Sequence, residues 1–231
     1  MSNILKATEQ KLGVLEKVAQ SGDRRTFLKF AGMSVAILTV AGCSDTTTSP
    51  TTGGTTLTND DFGVLNYAYA LEQLEAAFYT QVIGSFPAAF STAERAIFMD
   101  IQAHEVSHRD FFKAALGTHA IGSLEPNFSS IDFTSRDNVL ATARTFEDLG
   151  VSAYNGAGQL LTTPDYLVIA GKIVSVEARH ASTIRDLINP KSTAFSDDMI
   201  TPGGLDLARK PSEVLAAAGA YIKTTITSNL P

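Results

Sequence analysis

One arrangement of acids and imidazoles is written twice in this chain. Glu72 stands seven residues before Tyr79 and is followed by Glu105 and His108, spaced as Glu-x-x-His. Glu147 stands seven residues before Tyr154 and is followed by Glu177 and His180, again spaced as Glu-x-x-His. In order the chain therefore reads Glu, Glu-x-x-His, Glu, Glu-x-x-His. Four helices that each turn one of these groups inward supply the ligand order of a carboxylate-bridged two-metal site in a helical bundle. The constraint on the fold is severe, because carboxylates on apolar faces are costly to bury unless something compensates their charge.

The apolar periodicity places these groups on core-facing stripes. The stripe of the first predicted helix is Leu65, Ala68, Glu72, Ala76, Tyr79 and Ile83, and that of the second is Phe98, Ile101, Glu105, His108, Phe112 and Ala115. The third runs through Leu140, Ala143, Glu147, Val151, Tyr154 and Leu161, the fourth through Ile169, Ile173, Glu177, His180, Ile184 and Leu187. Each polar group lies near mid-helix with apolar residues on the same side. Helices of about 22–28 residues are about 33–42 Å long, so the four mid-points can meet in one layer.

Helix boundaries follow from the punctuation. The first helix is expected over about Asp60–Ile83, capped by Thr58 or Asn59 and closed by Phe86-Pro87. Ser91 and Glu94 form a capping box that opens the second, and Gly117 ends it. The third is expected over about Arg136–Leu161. Thr163-Pro164 opens the fourth, which Asn189-Pro190 ends. A looser stretch, 191–210, precedes a short last helix from Pro211 to about Thr225. Short turns join helices 1–2 and 3–4, whereas 18 residues, Thr118 to Ser135, join helices 2 and 3. The expected fold is thus all-α, two antiparallel hairpins related by one long crossover.

No Lys or Arg lies on the four stripes. Two divalent cations would balance four carboxylates, with the imidazoles filling further positions, and the i,i+3 spacing of Glu-x-x-His puts both side chains on one helix face. The metal-ligand candidates are Glu72, Glu105, His108, Glu147, Glu177 and His180, which would also carry any catalysis through the metals. Glu75 rivals Glu72, but aligning the two halves sets Gly150 opposite Glu75, so the repeat selects Glu72 and leaves Glu75 a supporting place beside the ligands. Tyr79 and Tyr154 either donate hydrogen bonds to ligating carboxylates or simply pack in the core. His104-Glu105-Val106-Ser107-His108 also fits the zinc-protease string His-Glu-x-x-His. That reading leaves Glu147 and the second Glu-x-x-His unexplained, and His104 lies off the Glu105/His108 stripe. His119 is expected at the surface.

The first 43 residues read as a targeting segment. Asp23-Arg24-Arg25-Thr26-Phe27-Leu28-Lys29 resembles a twin-arginine export motif, an apolar run follows from Phe30 to Ala41, and Val40-Ala41-Gly42-Cys43 resembles a bacterial lipobox. The run is too short to span a bilayer and suits a signal h-region. Cys43 is the single cysteine of the chain and the expected lipidation site, so a disulfide framework is excluded. The protein is expected to be exported to the cell envelope or periplasm and lipid-anchored at Cys43. Residues 44–58 form a Thr/Gly/Ser tract expected to be a flexible linker, and 59–231 make one domain by size. The net charge is −6, and residues 1–43 carry six Lys/Arg against three Asp/Glu, which leaves the remainder at −9. Such an acidic domain without a basic patch argues against nucleic acid as a partner.

Leu71-Glu-Gln-Leu-Glu-Ala-Ala-Phe-Tyr79, Ala103-His-Glu-x-x-His108 and Glu177-Ala-Arg-His180 resemble the ferritin-like domain family, in its branch related to plant desiccation-associated proteins. The likeness continues through Gly204-Leu-Asp and Pro211-Ser-Glu-Val-Leu. The six-residue pattern is similar to that of bacterioferritin, rubrerythrin and, more loosely, manganese catalase. This resemblance implies a ferritin-like four-helix bundle holding two metal ions, Fe or Mn. It implies Glu72, Glu105 and His108 on one ion and Glu147, Glu177 and His180 on the other, with Glu105 and Glu177 bridging. The implied activity is redox protection against peroxide or oxygen, or Fe(II) oxidation. A non-catalytic metal-binding or structural, stress-protective envelope protein is the alternative. Expected partners are a small-molecule oxidant or metal ions, and a membrane only through the lipid anchor; the reading leaves room for a homo-oligomer.

Overall fold

A computed structural model describes residues 54–231. The twin-arginine-like segment, Cys43 and most of the Thr/Gly/Ser tract lie outside the described residues. Four long helices dominate: α1 (Asp61–Gly84), α2 (Thr92–Leu116), α3 (Arg136–Ala157) and α4 (Pro164–Ile188), followed by a short α5 (Pro211–Ala218). α1 packs mainly on α2 and α3 on α4, so the two hairpins and the long crossover are as the connection lengths require. No helix among the described residues is long and apolar enough to cross a membrane.

The caps explain the boundaries. Ser91 Oγ accepts from the Glu94 amide at 3.2 Å while Glu94 Oε2 accepts from the Ser91 amide at 2.7 Å. Asp60, rather than Thr58 or Asn59, caps α1. Its Oδ1 accepts from the Gly63 amide at 2.8 Å and from the Thr58 hydroxyl at 2.6 Å, because a carboxylate answers a helix N-terminus better than a hydroxyl does. α3 ends at Ala157, and a single 3₁₀ turn over Gly158–Leu160 replaces the expected last turn. Side chains then tie the helix ends together. Arg136 donates to Glu94 Oε1 and to the Leu187 carbonyl, joining the starts of α2 and α3 to the end of α4. Asp61 accepts from the Thr162 and Thr163 amides at 2.8 and 3.0 Å, joining the start of α1 to the α3–α4 turn.

α1 is buried on almost every face, whereas one stripe was expected. The crossover covers its outer side: Asn66 donates to the His119 carbonyl and accepts from the Ile121 amide, and Gln73 accepts from the Leu124 amide. Ile131 joins the core behind them, with Ile121, Leu124, Phe128 and Phe133 packed against it. A helix that is apolar all round is one covered all round. His119 is exposed, as expected, and its ring stacks on Phe62.

Two expectations for the chain ends need correction. The tract expected to be flexible through residue 58 folds at its end, where β1 (Thr55–Leu57) pairs in parallel with β2 (Ile226–Ser228). Leu57 supplies the reason: it is buried in the core, and β-branched threonines suit a ladder. The last helix stops at Ala218, well short of Thr225, because Ile226 and Thr227 belong to that same ladder. The looser stretch after α4 is also anchored. Arg185, only 3% exposed, donates to both Asp148 carboxylate oxygens at 2.7 Å and to Asp198 at 2.5 Å.

The segment before α5 runs tightly along α3. The Arg209 amide donates to the Ser152 carbonyl at 3.0 Å, and a Cβ placed on Gly156 would lie 1.8 Å from the Arg209 carbonyl oxygen. Gly156→Ala is therefore expected to destabilise the protein by about 2 kcal/mol, an overpacking cost, read as a lower urea midpoint. An unchanged midpoint would contradict this close approach.

Candidate metal centre

The bundle core divides into two apolar clusters. Phe98, Ile101, Leu140, Phe146 and Ile184 belong to one; Leu65, Tyr69, Phe112, Leu116 and Ile173 belong to the other. On α2 and α4 the sequence passes from one cluster to the other through the Glu-x-x-His pair. α1 supplies Glu72, α2 Glu105 and His108, α3 Glu147, and α4 Glu177 and His180. All four glutamates are 0% exposed, the His180 side chain is 6% exposed, and that of His108 is 13% exposed.

The inward atoms sort into two sets of four. In the first, His108 Nδ1 faces Glu177 Oε1 at 2.8 Å, Glu72 Oε2 at 3.5 Å and Glu105 Oε2 at 3.6 Å. In the second, His180 Nδ1 faces Glu105 Oε1 at 2.8 Å, Glu147 Oε2 at 3.5 Å and Glu177 Oε2 at 3.7 Å. Glu105 and Glu177 each give one oxygen to each set. Within each group the donor atoms lie within 4.8 Å of one another, close enough to hold a metal ion. All eight atoms are buried without a hydrogen bond, and among the described residues the only other such side-chain atom is the Tyr67 hydroxyl. Neither 2.8 Å approach has the geometry of a hydrogen bond.

The outer oxygens of the two terminal glutamates are satisfied crosswise. Tyr79 of α1 donates to Glu147 Oε1 of α3 at 2.5 Å, and Tyr154 of α3 donates to Glu72 Oε1 of α1. The seven-residue spacing sets each tyrosine two turns from its own glutamate, level with the acid of the other hairpin. Both tyrosines therefore orient carboxylates rather than merely fill space. Burial, then the neighbouring carboxylates, pushes both hydroxyls well above the usual tyrosine range, which keeps them donors.

The electrostatics show how costly the cluster is. Among the described residues no Lys or Arg pairs with any of the four acids; only His108 and His180 do. Burial and the Glu177 charge push Glu105 up to about 8, and burial pushes Glu147 up to about 7 against the opposing pull of His180. Burial opposes Glu177 too, but its contacts with both histidines hold it down at about 2. Burial would depress His180, yet the Glu147 carboxylate and its neighbours raise it to about 12.

Glu75 is brought beside this layer but into neither set. It is buried, and burial together with all four acids of the layer pushes its carboxyl well above the usual range, so it is held neutral. The position opposite it in the repeat, Gly150, is also its neighbour in space: a Cβ there would lie 3.0 Å from Glu75 Oε1. The repeat breaks at this pair because the two equivalent positions meet, and only one has room for a side chain.

His104 lies outside the ligand sets, as its place off the stripe implied, but it touches a ligand. It is exposed and joins neither set, so the protease arrangement does not form. Its Nδ1 nevertheless lies 2.9 Å from His180 Nε2, with the rings nearly parallel. The signal was present in the string His104-Glu105, but a residue adjacent to a ligand points toward the next helix, and a single-helix stripe does not show that neighbour.

A family model described as a ferritin-like domain matches residues 60–190, the span from the cap of α1 to the end of α4. No curated protein matches the chain.

The raised groups give the metal-free protein a defined pH dependence. The folded protein retains protons on Glu105 and Glu147 that the unfolded chain releases from about pH 4.5 upward, and one on His180 that it releases from about pH 6.5 upward. Their stabilisation is present below those values and is lost as pH rises through about 7 to 8 for the acids and about 12 for His180. Glu177 acts oppositely, but only below about pH 4.5. Chelator-treated protein should therefore unfold at higher urea at pH 5.5 than at pH 8.5, and the reverse order would contradict the buried cluster.

Proposed function

The chain belongs to the ferritin-like domain family, and on that premise we propose that its core holds two iron or manganese ions in a carboxylate-bridged centre acting on peroxide, dioxygen or Fe(II). The observation that carries this is the division of eight unsatisfied buried atoms into two four-atom sets sharing Glu105 and Glu177. Two divalent cations cancel the charge of four carboxylates, which neither solvent nor any described Lys or Arg does here. Oxygen and imidazole donors without thiolate suit iron or manganese. When bound, such a pair supplies two one-electron oxidation steps at adjacent positions, enough for the O–O bond of a small oxidant.

The chain's own groups do the rest. Tyr79 and Tyr154 hold the outer oxygens of Glu147 and Glu72, which turns the inner oxygens toward the centre. The apolar clusters on either side exclude water. The histidine edge between α2 and α4 is the least covered part of the site, since His108 keeps 13% of its side chain exposed. The twin-arginine-like segment supports placing this centre in the cell envelope, anchored at Cys43, because that pathway moves folded proteins.

Glu105→Ala and Glu177→Ala each remove a bridge. Each is expected to lower bound metal from two ions per chain to one or none, and to abolish peroxide consumption and oxygen-dependent Fe(II) oxidation. Metal analysis with stopped-flow assays of protein reconstituted with Fe(II) or Mn(II) checks this. Wild-type protein that binds both ions yet turns over neither substrate faster than buffer would replace the redox reading with a holding or structural one.

A further inference from the structure

His108 and His180 occupy equivalent places in the two half-sites, but their outer edges differ. His180 directs Nδ1 to Glu105 Oε1 at 2.8 Å, and its Nε2 lies 2.9 Å from His104 Nδ1. The two rings are within 7° of parallel, with centroids 5.2 Å apart. His108 makes no hydrogen bond to any described residue through its outer nitrogen. The repeat explains the difference: the position before Glu105 is His104, and the position before Glu177 is Val176, which can neither donate nor accept.

A hydrogen bond between two ring nitrogens needs a proton on one and a lone pair on the other. For His180 to offer its Nδ1 lone pair to a cation, its proton must sit on Nε2. His180 is then the donor and His104 Nδ1 the acceptor. We infer that His104 is a positioning residue that fixes the tautomer and ring orientation of His180, making the Glu147/His180 position the tighter of two inequivalent metal positions. This rests on the dimetal reading above. His104 touches no atom of either four-atom set and acts only through His180.

The probe is Co(II) alone, titrated into chelator-treated protein at fixed pH and followed by absorption and calorimetry. Wild type should bind two ions with separated affinities. His104→Phe keeps an aromatic ring but removes the acceptor. It should weaken the tighter step about 10- to 100-fold, the usual scale for such outer partners, and leave the weaker step in place. His104→Asn retains an acceptor in that position and should recover most of the loss. The urea midpoint of the metal-free protein, measured for all three, separates any loss of folding from the loss of metal positioning. In a Glu72→Ala background the remaining ion should still respond to His104→Phe; in a Glu147→Ala background it should not. Two ions in wild type with an unmoved His104→Phe isotherm would overturn this inference alone. So would a change confined to the weaker step, or His104→Asn as weak as His104→Phe. Wild type that binds no Co(II) would overturn the dimetal reading and this inference together.

Discussion

Four carboxylates share one buried layer, and among the described residues no Lys or Arg answers them; the rest of the structure is arranged around that fact. Burying an ionised carboxylate is among the most unfavourable acts a fold can perform without compensation. Here the protein compensates partly by itself. Two histidines lend positive charge, two tyrosines satisfy outer oxygens, and burial holds Glu75 neutral. What it leaves unsatisfied is ordered: eight atoms in two equal sets. Such order is what a site preorganised for two cations requires, and what a merely tolerated polar core would not produce.

The order depends on the helix ends as much as on the ligands. Arg136, Glu94 and Asp61 fix the relative heights of the four helices at the bundle rims. A slip of one helix by a single turn is 5.4 Å, more than the separation of the donor atoms within a set. The crossover and the β1–β2 ladder have the same consequence from outside, since they cover α1 and tie both ends of the described chain to the core.

Much of this was legible in the residues. The four stripes, the capping box at Ser91 and Glu94, the 18-residue crossover and the six inward groups all come from periodicity and repetition within single helices. The repeat also selected Glu72 over Glu75, and the steric meeting of Glu75 with Gly150 now explains why. What was not legible lies between elements. The crossed tyrosine pairs, the Arg185–Asp148–Asp198 cluster, the His104–His180 contact and the parallel ladder join residues of different elements and are set by how those elements dock. A linear pattern carries the face a residue lies on; it does not carry which neighbour that face will meet.

The central claim is that each four-atom set holds one ion. Anomalous diffraction from crystals of the iron- or manganese-loaded protein tests it directly. The account predicts two peaks in the bundle core, one among Glu72, Glu105, His108 and Glu177 and one among Glu105, Glu147, Glu177 and His180. A single peak shared by both sets, or none in the core, would contradict it.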